Sequence, residues 1–111
     1  MTADPLVLLM DRVAAFRSFI EKSPRDPFPR YGLAMELRNQ GHLDDSARAF
    51  AELIASFPEY VPAYLMAGQV LAAQGKRDEA EGVWRKGVDA ATARGDLHAK
   101  KELESALTEL D

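Results

Sequence analysis

Between Pro5 and Lys22 the apolar residues Leu6, Leu9, Val13, Phe16 and Ile20 recur at spacings of three and four, which places them on one face of a helix. Pro24 closes that helix, since proline cannot continue one. Asp26-Pro27-Phe28-Pro29 reads as a loop and start signal, because a proline in the first turn lacks only a donor that would go unused. The same periodicity predicts helices from about residue 29 to 40, 44 to 57, 62 to 74 and 78 to 94, with a last one from residue 96. In that last helix Leu97, Leu103, Leu107 and Leu110 are expected on the packed side, with Lys100, Lys101, Glu104 and Glu109 turned away. The period is helical throughout, and no strand candidate competes with it.

The helices repeat. Phe16, Phe50 and Trp84 stand 34 positions apart, and the interval recurs between Leu37 and Leu71, between Gln40-Gly41 and Gln74-Gly75, and between Asp44 and Asp78. Gly41 and Gly75 fall where a helix must stop and reverse, a place that favours positive φ. Asp44 and Asp78 are expected to cap the following helices, and Asp78 with Glu81 has the spacing of a capping box.

With this register the chain resembles the tetratricopeptide repeat family over nearly all its length. The family pattern is carried by Tyr64, Ala67-Gly68, Leu71, Ala80 and Trp84 in residues 61–94, and by Leu33-Ala34, Leu37, Ser46, Phe50 and Pro58 in residues 27–60. Residues 10–26 supply half of an earlier unit through Phe16 and Pro24, and residues 96–111 a capping helix. Arg30 stands where an aromatic is expected, with Tyr31 beside it, and Thr92 replaces the closing proline, so the fifth helix can run on. The resemblance implies an all-α fold in a single domain spanning residues 1–111: antiparallel helix-turn-helix repeats stacked as a short right-handed α-solenoid of about six helices. Ala34, Gly68 and Ala80 are then small so that helix backbones approach, and Phe50 and Trp84 fill the space between them.

Such repeats make binding surfaces more often than they do chemistry. In the family the first helix of each unit lines a concave groove, whose inward positions here are Phe28, Tyr31, Met35, Arg38 and Asn39, then Leu65, Gln69, Ala72 and Ala73. Phe28, Tyr31, Met35, Arg38, Leu65 and Gln69 are therefore the expected partner-binding residues, an apolar strip edged by polar groups that suits a peptide or protein segment. Some members grip a C-terminal carboxylate with lysine and asparagine; Tyr31, Met35 and Met66 occupy those places here and only Lys100 matches, which argues against that use.

Composition narrows the alternatives. The 111 residues contain no cysteine, which removes disulfides, thiolate metal sites and thiol nucleophiles. A net charge of -4 in short mixed clusters argues against nucleic acid as a partner. The start, MTADPLVLLMDR, lacks the basic opening and cleavage site of a signal peptide, and no apolar run is long enough for a membrane span, so a cytoplasmic protein is expected. His42 and His98 have no ligand-spaced partner and are expected to be exposed and idle; no catalytic, cofactor or metal residues are expected. Trp84 holds the register of Phe16 and Phe50 and is expected in the core. The first helix carries more apolar groups than one packed face needs, and Leu6, Leu9, Phe16 and Phe19 are candidate contacts for a homodimer or for docking onto an assembly.

Overall fold

Six helices follow one another: α1 (Pro5–Lys22), α2 (Pro27–Asn39), α3 (Leu43–Ser56), α4 (Pro62–Ala73), α5 (Arg77–Arg94) and α6 (Leu97–Glu109). This computed structural model describes residues 5–110, with side chains from residue 12 onward, and contains no strand among them. Each helix packs on the next, and in addition α2 packs on α4 and α4 on α6. The even-numbered helices thus form one continuous face while the odd-numbered ones lie behind it, giving a molecule of 48 × 30 × 20 Å.

The reversals after α2 and α4 are built alike. Gly41 and Gly75 take φ of 83° and 79°. The amides of His42 and Lys76 donate back to the carbonyls of Leu37 and Leu71, both at 2.9 Å, satisfying groups that the helix ends leave open. The expected caps differ. Asp44 and Asp78 lie inside the first turns of α3 and α5, where they meet the positive end of the helix dipole, and the positions before these helices, His42 and Lys76, make no side-chain cap. Asp44 instead accepts from Gln74 Nε2 at 2.6 Å, tying α3 to the end of α4, and Glu81 pairs with Arg85 rather than closing a capping box. Asp26 and Asp96 do cap, accepting from the Phe28 and Ala99 amides. With Asp26 as cap, α2 begins at Pro27 rather than near residue 29, and both prolines fit within its first turn.

Phe50 and Leu53 of α3 fill one core cluster between Ala34 of α2 and Ala63, Ala67 and Val70 of α4. Trp84 fills the next, with Ala80, Tyr64 and Leu103. Its indole Nε1 donates to the Leu65 carbonyl at 3.0 Å. A Cβ on Gly68 would stand 2.0 Å from that nitrogen, so the close approach of α4 and α5 requires glycine there. In the preceding repeat Ser46 is fully buried, and its hydroxyl donates to the Ala34 carbonyl at 2.8 Å, which makes burial of that polar group tolerable. Thr92, at the position of the missing proline, lies within α5, and its hydroxyl donates to the Val88 carbonyl.

In α6, Leu103 is buried and Leu107 and Leu110 are half-buried, but Leu97 is 68% exposed, against expectation. The offset from Leu103 explains it: six residues at roughly 100° each place Leu97 about 120° from the packed face. Leu107 falls about 40° from that face and Leu110 about 20°.

Candidate interaction cleft

The face made by α2, α4 and α6 is not flat. Near the N-terminal ends of these helices it opens into a cleft of about 380 Å³. Val61, Leu65 and Met66 from the start of α4, with Leu103 from α6, supply an apolar lining, and Tyr31 reaches in from α2. The rim is polar on the α6 side, where Asp96, His98 and Glu102 stand around Ala99. The volume lies toward the lower end of small-molecule pockets, about 300 to 1,000 Å³, and suits an inserted side chain better than a whole folded partner.

Tyr31 is fixed from behind. Its ring meets Phe50 edge-on, with centroids 6.1 Å apart, and Tyr60 at 5.8 Å. Burial raises the pKa of its hydroxyl above the ordinary tyrosine value, and the nearby Arg38 guanidinium offsets part of that rise. The Tyr60 hydroxyl is raised by burial, with Tyr31 and Asp26 adding to it, and that of Tyr64 by burial and Glu59. Tyr64 donates to the Pro58 carbonyl at 2.5 Å, which anchors the α3–α4 loop beneath Val61. On the rim, one Asp96 oxygen accepts from the Ala99 amide at 3.1 Å, and Glu102 faces His98 Nε2 at 2.7 Å.

The six residues expected to bind a partner divide. Tyr31 and Leu65 share the cleft. Met35 is half-buried against the Phe50 cluster. Arg38 lies in the last turn of α2, outside the lining yet close enough to act on the Tyr31 hydroxyl. Phe28 is 63% exposed at the start of α2, and Gln69 is exposed on α4; neither lines the cleft. The contribution of α6 was missed. Asp96, Ala99, Glu102 and Leu103 follow the spacing of three and four that turns one face toward α4, and a cap followed by that spacing was the available signal. His98, expected to be idle, pairs with Glu102 at the rim.

On α1, Phe16 is half-buried over Gly32, whose Cβ would stand 2.3 Å from the ring, whereas Phe19 is 52% exposed. Leu6 and Leu9 lie outside the residues whose side chains are described. Among the described residues no cluster of three histidine, cysteine, aspartate or glutamate side chains could hold a metal ion. None of the described helices is long and apolar enough to cross a membrane.

No family model matches the chain, and no curated protein matches it. Solved structures do. The chain is similar to a tetratricopeptide repeat domain protein from Salinibacter ruber. Against its solution structure the identity is 28%, the coverage 79% of this chain and 89% of the other, and the TM-score 0.75. Against a crystal structure of a tetratricopeptide repeat domain protein from the same organism the values are 28%, 78%, 96% and 0.73. A Bordetella parapertussis protein is similar in fold at 24% identity, covering 99% of this chain and 89% of that one, with a TM-score of 0.75. Six helices packed in sequence, with the buried aromatics Phe50 and Trp84 standing 34 residues apart, give this chain the tetratricopeptide repeat fold.

Proposed function

We propose that the chain is a non-catalytic protein-interaction module that captures a segment of a partner on the face formed by α2, α4 and α6. The observation behind this reading is the cleft itself: apolar Leu65 and Met66 stay partly exposed above a buried Val61, beside a Tyr31 ring already held by Phe50 and Tyr60. Preorganised aromatic surface contributes to binding without a large ordering cost. The tetratricopeptide-type neighbours support an interaction role in general. The division into units at 27–60 and 61–94, and the inclusion of Phe28, Met35, Arg38 and Gln69 in a wider contact surface, belong to this proposal.

A photo-crosslinking residue placed at Met66, at exposed Ala51 on α3 and at Phe19 compares three surfaces in one experiment. Capture through Met66 alone, followed by a loss of about 2 kcal/mol in binding on Tyr31→Ala or Leu65→Ala with helicity preserved, is the expected result. Capture through Ala51 or Phe19 with none through Met66 refutes it.

A second reading has its own observation. Phe19 is 52% exposed, and α1 packs on α2 alone among the described helices. This favours self-association or docking through α1. Sedimentation at high micromolar concentration with Phe19→Asp as control tests it, and a wild-type monomer there removes the homodimer.

A further inference from the structure

We infer that the segment this cleft selects is apolar and basic: one large apolar side chain inserted against Leu65 and Met66, with a lysine or arginine beside it directed at α6. The inference rests on the cleft reading and adds the chemistry of the partner. The lining supplies only half of the recognition, because the polar groups at its mouth are of one kind. Asp96 and Glu102 bring two carboxylates to the α6 side, and the only cation-forming group in the cleft lining is His98, which Glu102 already faces.

Asp96 uses one oxygen to cap α6 and keeps the other for a partner. Glu102 is 46% exposed at its side chain, so a second donor can reach it. Lys100 follows Ala99 on α6 but is not part of the cleft lining. Glu59 and Asp26 act on the hydroxyls of Tyr64 and Tyr60, adding negative charge near the same ends of α4 and α2. Arg38 acts from the far end of α2, on the Tyr31 side, so the cation of a bound segment is directed to α6 rather than α2. An acidic segment would meet two carboxylates of like charge at the exposed rim, a repulsion that solvent and salt screen but do not remove.

The test uses three synthetic peptides with one Leu-Phe core, flanked by lysine, glutamine or glutamate and blocked at both ends. Each is titrated into the labelled full chain while the amide signals of Leu65, Met66 and Ala99 are followed by NMR. At about pH 8, where imidazoles are uncharged, and about 50 mM salt, the lysine peptide should bind at least about fivefold more tightly than the glutamine peptide. The glutamate peptide should be the weakest. The advantage should disappear in the Asp96→Asn, Glu102→Gln variant, in which asparagine still caps α6, so that fold and cleft are retained. Equal binding of all three peptides in the cleft, or a preference for glutamate, overturns the basic partner while the cleft reading stands. Signal changes confined to other surfaces, or none with any peptide at millimolar concentration, overturn both.

Discussion

Trp84 and Gly68 should behave as one unit, and their coupling can be worked out from the structure. Trp84 is 5% exposed, and burying an indole removes about 150 to 250 Å² from water, or roughly 4 to 6 kcal/mol at 25 cal/mol per Å². Relaxation around the vacated space brings the expected cost of Trp84→Ala to about 3 to 5 kcal/mol. Gly68→Ala raises helix propensity by up to about 1 kcal/mol, but its Cβ would stand 2.0 Å from the indole nitrogen. Displacing the indole also disturbs the bond to the Leu65 carbonyl, so the net effect in the natural background is a loss of about 1 to 2 kcal/mol. In the Trp84→Ala background the obstacle is gone, and the same substitution should stabilise by up to about 1 kcal/mol. The sign therefore reverses, with a coupling of about 2 to 3 kcal/mol. Urea unfolding followed by helical circular dichroism gives all four midpoints, because the chain has a single tryptophan and fluorescence would be lost with it. If Trp84→Ala does not fold, Trp84→Phe, which lacks the donor, replaces it with a smaller loss of about 1 kcal/mol. Gly68→Ala effects that agree within about 0.5 kcal/mol in both backgrounds would refute the direct contact.

Gly75→Ala should cost about 1 to 2 kcal/mol because φ is 79°, whereas Gly82→Ala, inside α5 with nothing within 4 Å of the new methyl, should gain up to about 1 kcal/mol; thermal midpoints moving in opposite directions check the pair. Glu36 is buried beside Arg12 at 3.7 Å, at the position where the next repeat buries Val70, so Glu36→Val should be neutral or stabilising by about 1 kcal/mol; a loss above about 1 kcal/mol would show that the pair holds α1 to α2. The hydroxyls of Tyr31, Tyr60 and Tyr64 have pKa values raised from 10.0, so the folded chain holds these protons more tightly than the unfolded one. That contribution is full below pH 10 and is lost as pH rises through the folded values, so the urea midpoint should fall above about pH 10, and a flat profile would contradict the burial.

Much of the fold was legible because its determinants are local or periodic. A glycine at a helix end needs only its own backbone, so Gly41 and Gly75 announce their turns, and the 34-residue register places Phe50 and Trp84 in the core. The caps were less legible because a first-turn aspartate and a capping aspartate differ by one or two residues. Asp96 and Asp26 accept from the helix, while Asp44 finds a tertiary partner, Gln74, 30 residues away. The cleft was half legible. Tyr31 and Leu65 follow from the stripe on each helix, but a stripe does not show how far a neighbouring helix extends over it. Only the packing of α6 on α4 brings Glu102 and Ala99 to the same opening.

The two aromatic–glycine contacts explain why one register gives two kinds of helix pair. Trp84 lies over Gly68, sixteen residues before it, whereas Phe16 lies over Gly32, sixteen residues after it. α3 and α5 each lie between two helices in sequence, whereas α1 packs on α2 alone among the described helices, so the Phe16 ring turns to α2. At the register of Gly32 the next repeat carries Met66, which packs against the cluster holding Phe50 and fills the space that Phe16 occupies one repeat earlier. The glycine at position 32 leaves the room that the Phe16 ring needs against α2, where a Cβ would stand 2.3 Å from it. That contact uses the Phe16 side of α1 and leaves Phe19 turned outward.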